Sequence, residues 1–512
     1  MKRSRPELAL LLAILLMAAA LRLPAIDFDL PYILHPDEPA VIRISRDIFA
    51  GGDLNPHFFD YPSLVFYANA LAYTPLYLSG RLTGEFDARD DIVALDSLAM
   101  GAVKTRQPAA VLLNRGLSLL CGLGTVVLLY AIGRVLYDRA SVGLVAALLL
   151  AVWSQHAYHS RIVTTDAMVT FFIVLAFFMA ALIFRQGNTW HYVGAGLAVG
   201  LATGTKYNGG MIALAVPLAH FLRAGWGGWR DLRLYASGVV ALLAFLLTTP
   251  YAILDYPAFS AAFFGVTEHY GRGHAGMEGD TLAWYTTFLW TSTTITPLLA
   301  LVQIGRGLRQ RSKPTLLLAA YPVAYFLFII RFEVRNDRTI LPIVPFLFLL
   351  AAVLLVDLAA LARRAPRRAT RWALAVLLVA LIGAMVIYPA GRALRDNRLL
   401  AQEPSPITAA NWISANLEPG ARVVLEAYGP YLDPAVFDVT VLNNLAEHPP
   451  EWYAEQGFDY LIAAGGMYGR YVNDPARYPD EARRYEQLFE RYELVRAFED
   501  GLGRKVRIYR VR

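Results

Sequence analysis

The chain has 512 residues, of which 56% are hydrophobic and only 17% charged, and its mean hydropathy is +0.42. A soluble fold of that composition would carry far more apolar surface than one core can bury, which leaves an integral membrane protein. Its one cysteine, Cys121 in an apolar stretch, excludes a disulfide framework and a thiolate metal site, and nothing in the sequence points to nucleic acid.

The amino terminus carries Lys2, Arg3 and Arg5 ahead of an apolar run over 8–21. No small-residue cleavage site convincingly follows, so the run reads as a retained anchor rather than a signal peptide. Apolar stretches recur near 8–24, 109–133, 140–158, 167–184, 191–204, 207–222, 234–252, 284–303, 315–330, 339–358 and 372–390. The expected fold is therefore an α-helical polytopic membrane protein of about 11 transmembrane helices plus interfacial helices. The pair flanking Lys206 is short for a span, which predicts a tilted, broken or re-entrant geometry there.

Charge tests this count, because Lys and Arg concentrate on the cytoplasmic side. Alternate connections are basic, from Arg134 and Arg139 through Arg306, Arg309 and Lys313 to Arg363, Arg364, Arg367, Arg368 and Arg371. The other connections hold Asp37, Glu38, Asp166, Lys206, Glu268, Glu278 and Asp280. That alternation predicts an extracytoplasmic active face and an extracytoplasmic carboxy terminus. The apolar segment 61–80 would invert every later loop if it crossed, so it reads as juxtamembrane or re-entrant. Residues 39–50 place Val41, Ile44 and Ile48 at helical spacing among charges, as suits a helix lying in the interface.

After Arg392 the composition changes: residues 401–512 hold 12 Lys and Arg against 17 Asp and Glu, a net of −5. This predicts two domains, a membrane domain over 1–392 and a small extracytoplasmic α/β domain over 393–512. Strands are expected at 422–426, 460–463 and 506–509, and helices at 407–417 and 481–492. Gly465-Gly466 reads as a turn, and no catalytic cluster is visible in the domain.

Adjacent carboxylates at a bilayer surface are costly unless used, which singles out His35-Pro36-Asp37-Glu38-Pro39. A bland alternative exists, since an acidic residue before proline is a common helix start and would cap the interfacial helix. Asp166 is likewise a plausible cap for a span beginning at Ala167. Taken together, carboxylates from two outer loops, Lys206, and Arg161, Arg335 and Arg338 would meet one membrane face. A carboxylate can take a proton from a hydroxyl while Lys and Arg hold an anionic phosphate, which fits group transfer from a lipid-linked phosphate.

These residues resemble the C-type glycosyltransferases that take sugars from polyprenyl phosphates, and in particular the family-39 group of protein O-mannosyltransferases and lipid A aminoarabinose transferases. The resemblance runs over roughly 8–345 and rests on His35-Pro36-Asp37-Glu38 with Ile44-Ser45-Arg46-Asp47, Asp60-Tyr61-Pro62, Ser160-Arg161 through Asp166 to Phe171-Phe172, and the stretch from Gly200 to Gly209 around Thr205-Lys206-Tyr207. Arg338-Thr339-Ile340-Leu341-Pro342 adds a weaker fifth stretch. It implies a polyprenyl-phosphate sugar donor, a lipid, glycan or protein acceptor, and a cell-membrane location. It makes Asp37 the general base, Glu38 a residue that shapes its field or orients the acceptor, Asp166 the acid of the second loop, and Arg161 and Lys206 contacts to the donor phosphate. Asp60 and Tyr61 stand where the aminoarabinose transferases carry an acidic residue and a lysine, so that particular substrate is not supported. Because polyprenyl phosphate leaves as a stabilised anion, one base and a cationic clamp suffice, and direct displacement inverts the anomeric centre.

The remaining candidates are weaker. Tyr207 adjoins Lys206, and His274 and Glu278 lie in a glycine-rich outer loop, where they offer only two scattered ligands for a divalent cation; no other cofactor is implied. His156 and His159 read as interfacial packing. The rival from another class is a polytopic transporter of lipid-linked or small polar solutes, which would place ionisable residues at mid-membrane and show repeated halves. Here they cluster at one face, and no repeat is evident.

Overall fold

A computed structural model describes residues 5–92, 95–97 and 103–512; Lys2 and Arg3 lie outside the described residues. In chain order the first part forms α1 (Arg5–Ala20), β1 (Tyr32–Ile33), α2 (Glu38–Gly51), α3 (Leu64–Ala72), α4 (Thr74–Thr83), β2 (Leu95–Ser97) and β3 (Val103–Thr105). The helical body follows as α5 (Pro108–Tyr137), α6 (Ala140–Val152), α7 (Ser154–His159), α8 (Thr165–Arg185), α9 (Thr189–Thr205), α10 (Ala215–Ala224) and α11 (Leu232–Thr248). It continues with α12 (Tyr251–Leu254), α13 (Tyr256–Arg272), α14 (Thr281–Thr293), α15 (Thr296–Arg309), α16 (Lys313–Ile329), α17 (Asp337–Ile340), α18 (Val344–Arg364) and α19 (Arg368–Leu400).

Every apolar stretch of the sequence is helical, and the protein is a multi-pass membrane protein. Among the described residues, four helical stretches are long and apolar enough to cross a bilayer, Pro108–Tyr137, Thr165–Arg185, Asp337–Arg364 and Arg368–Asn416, or five if the bent pair α14 and α15 counts as one span. That is fewer than the expected 11 because several members are short: α6 has 13 residues and α9, α11 and α16 have 17 each, against the roughly 20 that a straight span needs. The stretch expected as one span over 284–303 is two helices meeting at 105°. The short pair around Lys206 is broken, with a 3-10 stretch, Tyr207–Leu214, joining α9 to α10. Close packing compensates: Gly196, Gly200 and Gly204 lie one turn apart on α9, and a Cβ at each would strike Ser237, Ala241 or Thr248 of α11. Small residues in this spacing let helix backbones touch without a polar driving force.

Lipid-facing surface is plain on α19, where Trp372, Val376, Leu377 and Val379 are exposed. The interfacial helix expected over 39–50 is α2, which buries Val41, Ile42 and Ile48 while Arg43 and Asp47 face out. The apolar segment 61–80 is split into α3 and α4 and packs with α2 around Phe66 and Tyr73.

After α19 comes a mixed sheet. Its strands are β4 (Arg422–Glu426), β5 (Asp438–Leu442), β6 (Tyr460–Ala464), β7 (Glu493–Glu499) and β8 (Lys505–Arg510), in the order β5-β4-β6-β8-β7. β4 runs parallel to β5 and β6, and β8 is antiparallel to β6 and β7. Alternation along β4 sends Val423 and Leu425 to a core with α20 (Ser405–Asn416), and Val424 to a core with α21 (Pro450–Glu455), α22 (Gly465–Val472) and α23 (Pro479–Arg491). Gly465-Gly466 is not a free turn but the first turn of α22. The strands β5 and β7, unexpected from sequence, are the two sheet edges. Arg504 donates to Asp29 at 2.9 Å and Tyr478 to Glu278 at 2.6 Å, so the sheet domain is fastened directly onto the loops that carry Asp29 and Glu278.

Candidate active site

The candidate residues are held by three arginines buried in the helical body. Arg115, inside the apolar run of α5, donates to Glu38 Oε1 at 3.0 Å and Oε2 at 2.8 Å, with both side chains fully buried. Its remaining donors go to the Ile26 and Phe28 carbonyls at 2.8 and 3.0 Å. Glu38 Oε1 also accepts the Val163 N–H at 2.9 Å. One carboxylate thus ties α2, α5 and the 160–164 loop together, and neither oxygen is open to an acceptor. Arg22 donates to the Leu150 and Ala151 carbonyls at the end of α6 and to His156 Nδ1. Arg161, 1% exposed, donates to the Pro24 carbonyl at 3.0 Å and to Asn397 of α19 at 2.5 Å.

With Glu38 locked, Asp37 projects from the start of α2. It occupies the cap position, but its carboxylate makes no capping hydrogen bond, so the capping reading fails. Instead it pairs closely with Arg338 of α17, both side chains about a quarter exposed, at 26% and 22%. His35 Nδ1 accepts the Asp37 N–H at 3.3 Å. Burial pulls the His35 imidazole down to about 4 against the opposing pull of Glu38, so it is neutral.

Asp166 does not cap a helix starting at Ala167 either. α8 begins one residue before it, with Thr164 at the cap position, and the Asp166 carboxylate, 2% exposed, accepts from Lys206 Nζ at 2.8 Å. Burial alone would lower the Lys206 ammonium, yet the adjoining Asp166 carboxylate holds it above the usual lysine value. The two pairs share one neighbourhood: Glu38, next to Asp37, accepts from Val163 at 2.9 Å, and Asp337, next to Arg338, faces His159 at 3.2 Å, so both members of the first pair adjoin the 159–166 segment that carries Asp166. Tyr61 lies within electrostatic reach of Asp166 and Asp60. Tyr207 donates to the Phe59 carbonyl at 2.8 Å, which ties the Asp60-Tyr61 loop to the Lys206 stretch.

Other candidates lie further out. The Arg335 N–H donates to the Met277 carbonyl and its guanidinium rests beside the Asp280 carbonyl at 3.5 Å, with no carboxylate paired to it among the described residues. His274 faces Arg470 at 3.0 Å and Glu278 accepts from Tyr478, so both bind the sheet domain. No group of three or more metal-ligating side chains converges among the described residues. No hydrogen bond or ion pair joins Arg161 to Lys206 among the described residues. Sequence reasoning passed over Arg115 and Asp337, whose carboxylate faces His159 Nε2 at 3.2 Å and accepts from Gln155 at 3.2 Å. Both had a signal: Asp337 the polar triplet Asn336-Asp337-Arg338 before an apolar run, and Arg115 its position as a charge inside the apolar stretch 109–133.

The bend between α14 and α15 opens an apolar groove of about 450 Å³, lined by Leu289, Trp290, Leu298, Leu301, Phe326 and Leu347.

Residues 112–253 match the family described as dolichyl-phosphate-mannose-protein mannosyltransferase, a range that contains Arg161, Asp166 and Lys206. No curated protein matches the chain. Among solved structures it is similar to ArnT from Cupriavidus metallidurans bound to undecaprenyl phosphate, at 16% identity and a TM-score of 0.56 over 99% of this chain and 98% of that one. It is also similar to the oligosaccharyltransferase of Archaeoglobus fulgidus in the apo form, at 14% identity and a TM-score of 0.58 over 98% of this chain and 74% of that one. A third likeness is to the oligosaccharyltransferase AglB of the same organism with an inhibitory peptide and a dolichol-phosphate, at 13% identity and a TM-score of 0.55 over 98% and 74%. The resemblance seen in the sequence is borne out by the family match and by the fold.

Proposed function

Since the chain is a membrane glycosyltransferase of the C-type fold, we propose that it moves a sugar from a polyprenyl-phosphate donor to an acceptor hydroxyl or phosphate at the extracytoplasmic face, with inversion. The observation that supports this most is the meeting of two carboxylate–cation pairs, Asp37–Arg338 and Asp166–Lys206, in one neighbourhood. The groove at the α14–α15 bend has an apolar lining that suits an isoprenoid chain, and the polyprenyl phosphates in the two ligand-bound neighbours agree with that donor class.

The acceptor oxygen attacks the anomeric carbon as the bond from that carbon to the phosphate oxygen breaks. Polyprenyl phosphate departs with the electron pair, and the hydroxyl proton passes to Asp37. Lys206, kept charged by Asp166, meets the charge that grows on the phosphate oxygens, with Arg338 in the same neighbourhood and Arg335, further out, as a third cation. When the phosphate engages Arg338, Asp37 loses its partner and gains basicity at the moment it is needed. Glu38 and Arg161 serve by position: the first anchors α2, the second pins the 160–166 loop to α19. The membrane domain, 1–392 with about 11 crossings counted as apolar helices, performs the chemistry, and the domain 393–512 selects the acceptor.

Polyprenyl-phosphate sugar bound to the purified protein, titrated by native mass spectrometry, tests the donor. Lys206→Ala is expected to weaken that binding about 10-fold or more, the value of one charge-assisted hydrogen bond; an unchanged affinity would remove Lys206 from the phosphate. Orientation is tested with an impermeant thiol reagent on intact cells in a Cys121→Ser background. Asp480→Cys is expected to label and Arg364→Cys not to; the reverse pattern overturns the assigned topology.

A further inference from the structure

Between the two domains lies a cleft of about 320 Å³. One wall is His35, Pro36 and Pro39, the residues that bracket Asp37. The opposite wall is built where the three parallel strands end: Tyr428 and Gly429 after β4, Asn443 after β5 and Gly466 after β6. Crevices outside the carboxyl ends of parallel strands are where open α/β sheets bind ligands, because loops rather than ladder bonds occupy that edge.

The charges around this cleft are one-sided. Arg470, Arg504 and Lys505 line it, and no acidic side chain does among the described residues. Arg504 is neutralised by Asp29 at 2.9 Å and Asp500 at 2.6 Å, and Lys505 has Glu499 at 3.4 Å. Arg470 differs. Its guanidinium donates to the Gly466 carbonyl at 3.0 Å and to the Tyr428 hydroxyl at 2.5 Å, faces His274 Nε2 at 3.0 Å, and lies 4.9 Å over the Tyr428 ring. None of these partners is a carboxylate, and none pairs with it among the described residues. Burial, with Arg470 beside it, holds the His274 imidazole below its usual value, so that contact is neutral too. Tyr428 adopts φ 67°, a left-handed conformation unfavourable for any residue with a Cβ, and it also lies within electrostatic reach of Arg338, the partner of Asp37. The result is a guanidinium fixed in direction and left without a counter-charge, next to the catalytic motif.

We propose that this cleft is the acceptor subsite, and that it takes an acceptor bearing an anionic group, phosphate or carboxylate, on Arg470. The inference rests on the transferase reading above and adds to it the chemical class of acceptor and the residue that selects it. A planar guanidinium binds such groups through two parallel hydrogen bonds, a geometry lysine cannot copy.

The test uses the full-length protein, a donor with a radiolabelled sugar, and protein-free lipid and glycan extract from the cell envelope as acceptor source. The labelled product is expected to be retained on an anion-exchange resin at neutral pH. Arg470→Gln is expected to raise the half-saturating amount of extract about 10-fold with kcat little changed, as for loss of a charged hydrogen bond used equally in ground and transition states, and Arg470→Lys to recover part of it. Inhibition of the wild-type protein by phosphatidic acid in phosphatidylcholine vesicles, and not by pyrophosphate, marks a lipid headgroup as the source of the anion; inhibition by pyrophosphate marks a soluble one. A neutral product, or unchanged half-saturation in Arg470→Gln, overturns the proposal. Failure of the wild-type protein to release any label from the donor when whole cell envelope, its proteins included, is added as acceptor overturns the transferase reading beneath it instead.

Discussion

Replacing Asp37 by Asn is expected to slow transfer by about 100-fold to 10,000-fold, the usual cost of removing a general base, while donor affinity stays close to that of the unaltered protein. The amide keeps the shape of the side chain but cannot take the acceptor proton. A purely structural Asp37 predicts the opposite, because asparagine caps a helix about as well as aspartate. The geometry already separates these cases, since the carboxylate makes no capping bond and turns to Arg338 of a helix 301 residues away in sequence. The variant leaves Arg338 without its carboxylate, free to hold the donor phosphate, so donor binding in Asp37→Asn should be equal or tighter. Donor titration and single-turnover transfer on the same preparation decide the matter. Turnover near that of the unaltered protein would end the general-base assignment.

Asp37, Asp166, Lys206 and Arg338 were legible in the sequence because each is a charge in a connection between long apolar runs, where the cost of desolvation makes an idle charge rare. Their pairing was not legible. Which carboxylate faces which cation depends on how α2, α8, α9 and α17 pack, and sequence spacing carries no trace of it. Arg161 shows the same limit: as an outer-loop cation it looked like a phosphate ligand, but it is 1% exposed and held by Pro24 and Asn397. The apolar helices were readable by composition, whereas the break at Tyr207–Leu214 and the 105° bend between α14 and α15 were readable only as shortness or not at all. In the sheet domain the strands β4, β6 and β8, which are central, stood out as short runs rich in β-branched and aromatic residues. The edges β5 and β7 are half solvated, and their sequences, Asp438–Leu442 and Glu493–Glu499, mix charge with apolar residues. Gly465-Gly466 looked like a turn because two glycines are a turn signal when nothing shows that a strand ends there and a helix begins.

Arg115, a charge inside an apolar run whose partner no spacing in the sequence shows, carries the largest expected effect on stability. It sits inside a 30-residue apolar helix that sequence reads as plain membrane span, and its partner Glu38 is 77 residues away. Arg115→Ala would leave a carboxylate fully buried without a counter-charge, together with the Ile26 and Phe28 carbonyls it now satisfies. Removing one member of a buried ion pair costs about 3–5 kcal/mol, so the variant should melt far earlier in detergent or fail to accumulate. Glu38→Gln is the informative companion. Its amide can still accept from Val163 and keeps the volume, so the cost should be smaller, about 1–3 kcal/mol for a guanidinium left partly unpaired. If Glu38 works only by anchoring α2, transfer per folded molecule in Glu38→Gln should stay within about 10-fold of the unaltered protein, since Asp37 rather than Glu38 meets the acceptor and a loss as deep as that of a missing base is not expected. Thermal unfolding and turnover normalised to the folded fraction measure the two quantities separately. A Glu38→Gln protein as stable as the unaltered one but inactive would show that this carboxylate takes part in the chemistry, and that the pair with Arg115 opens when substrate binds.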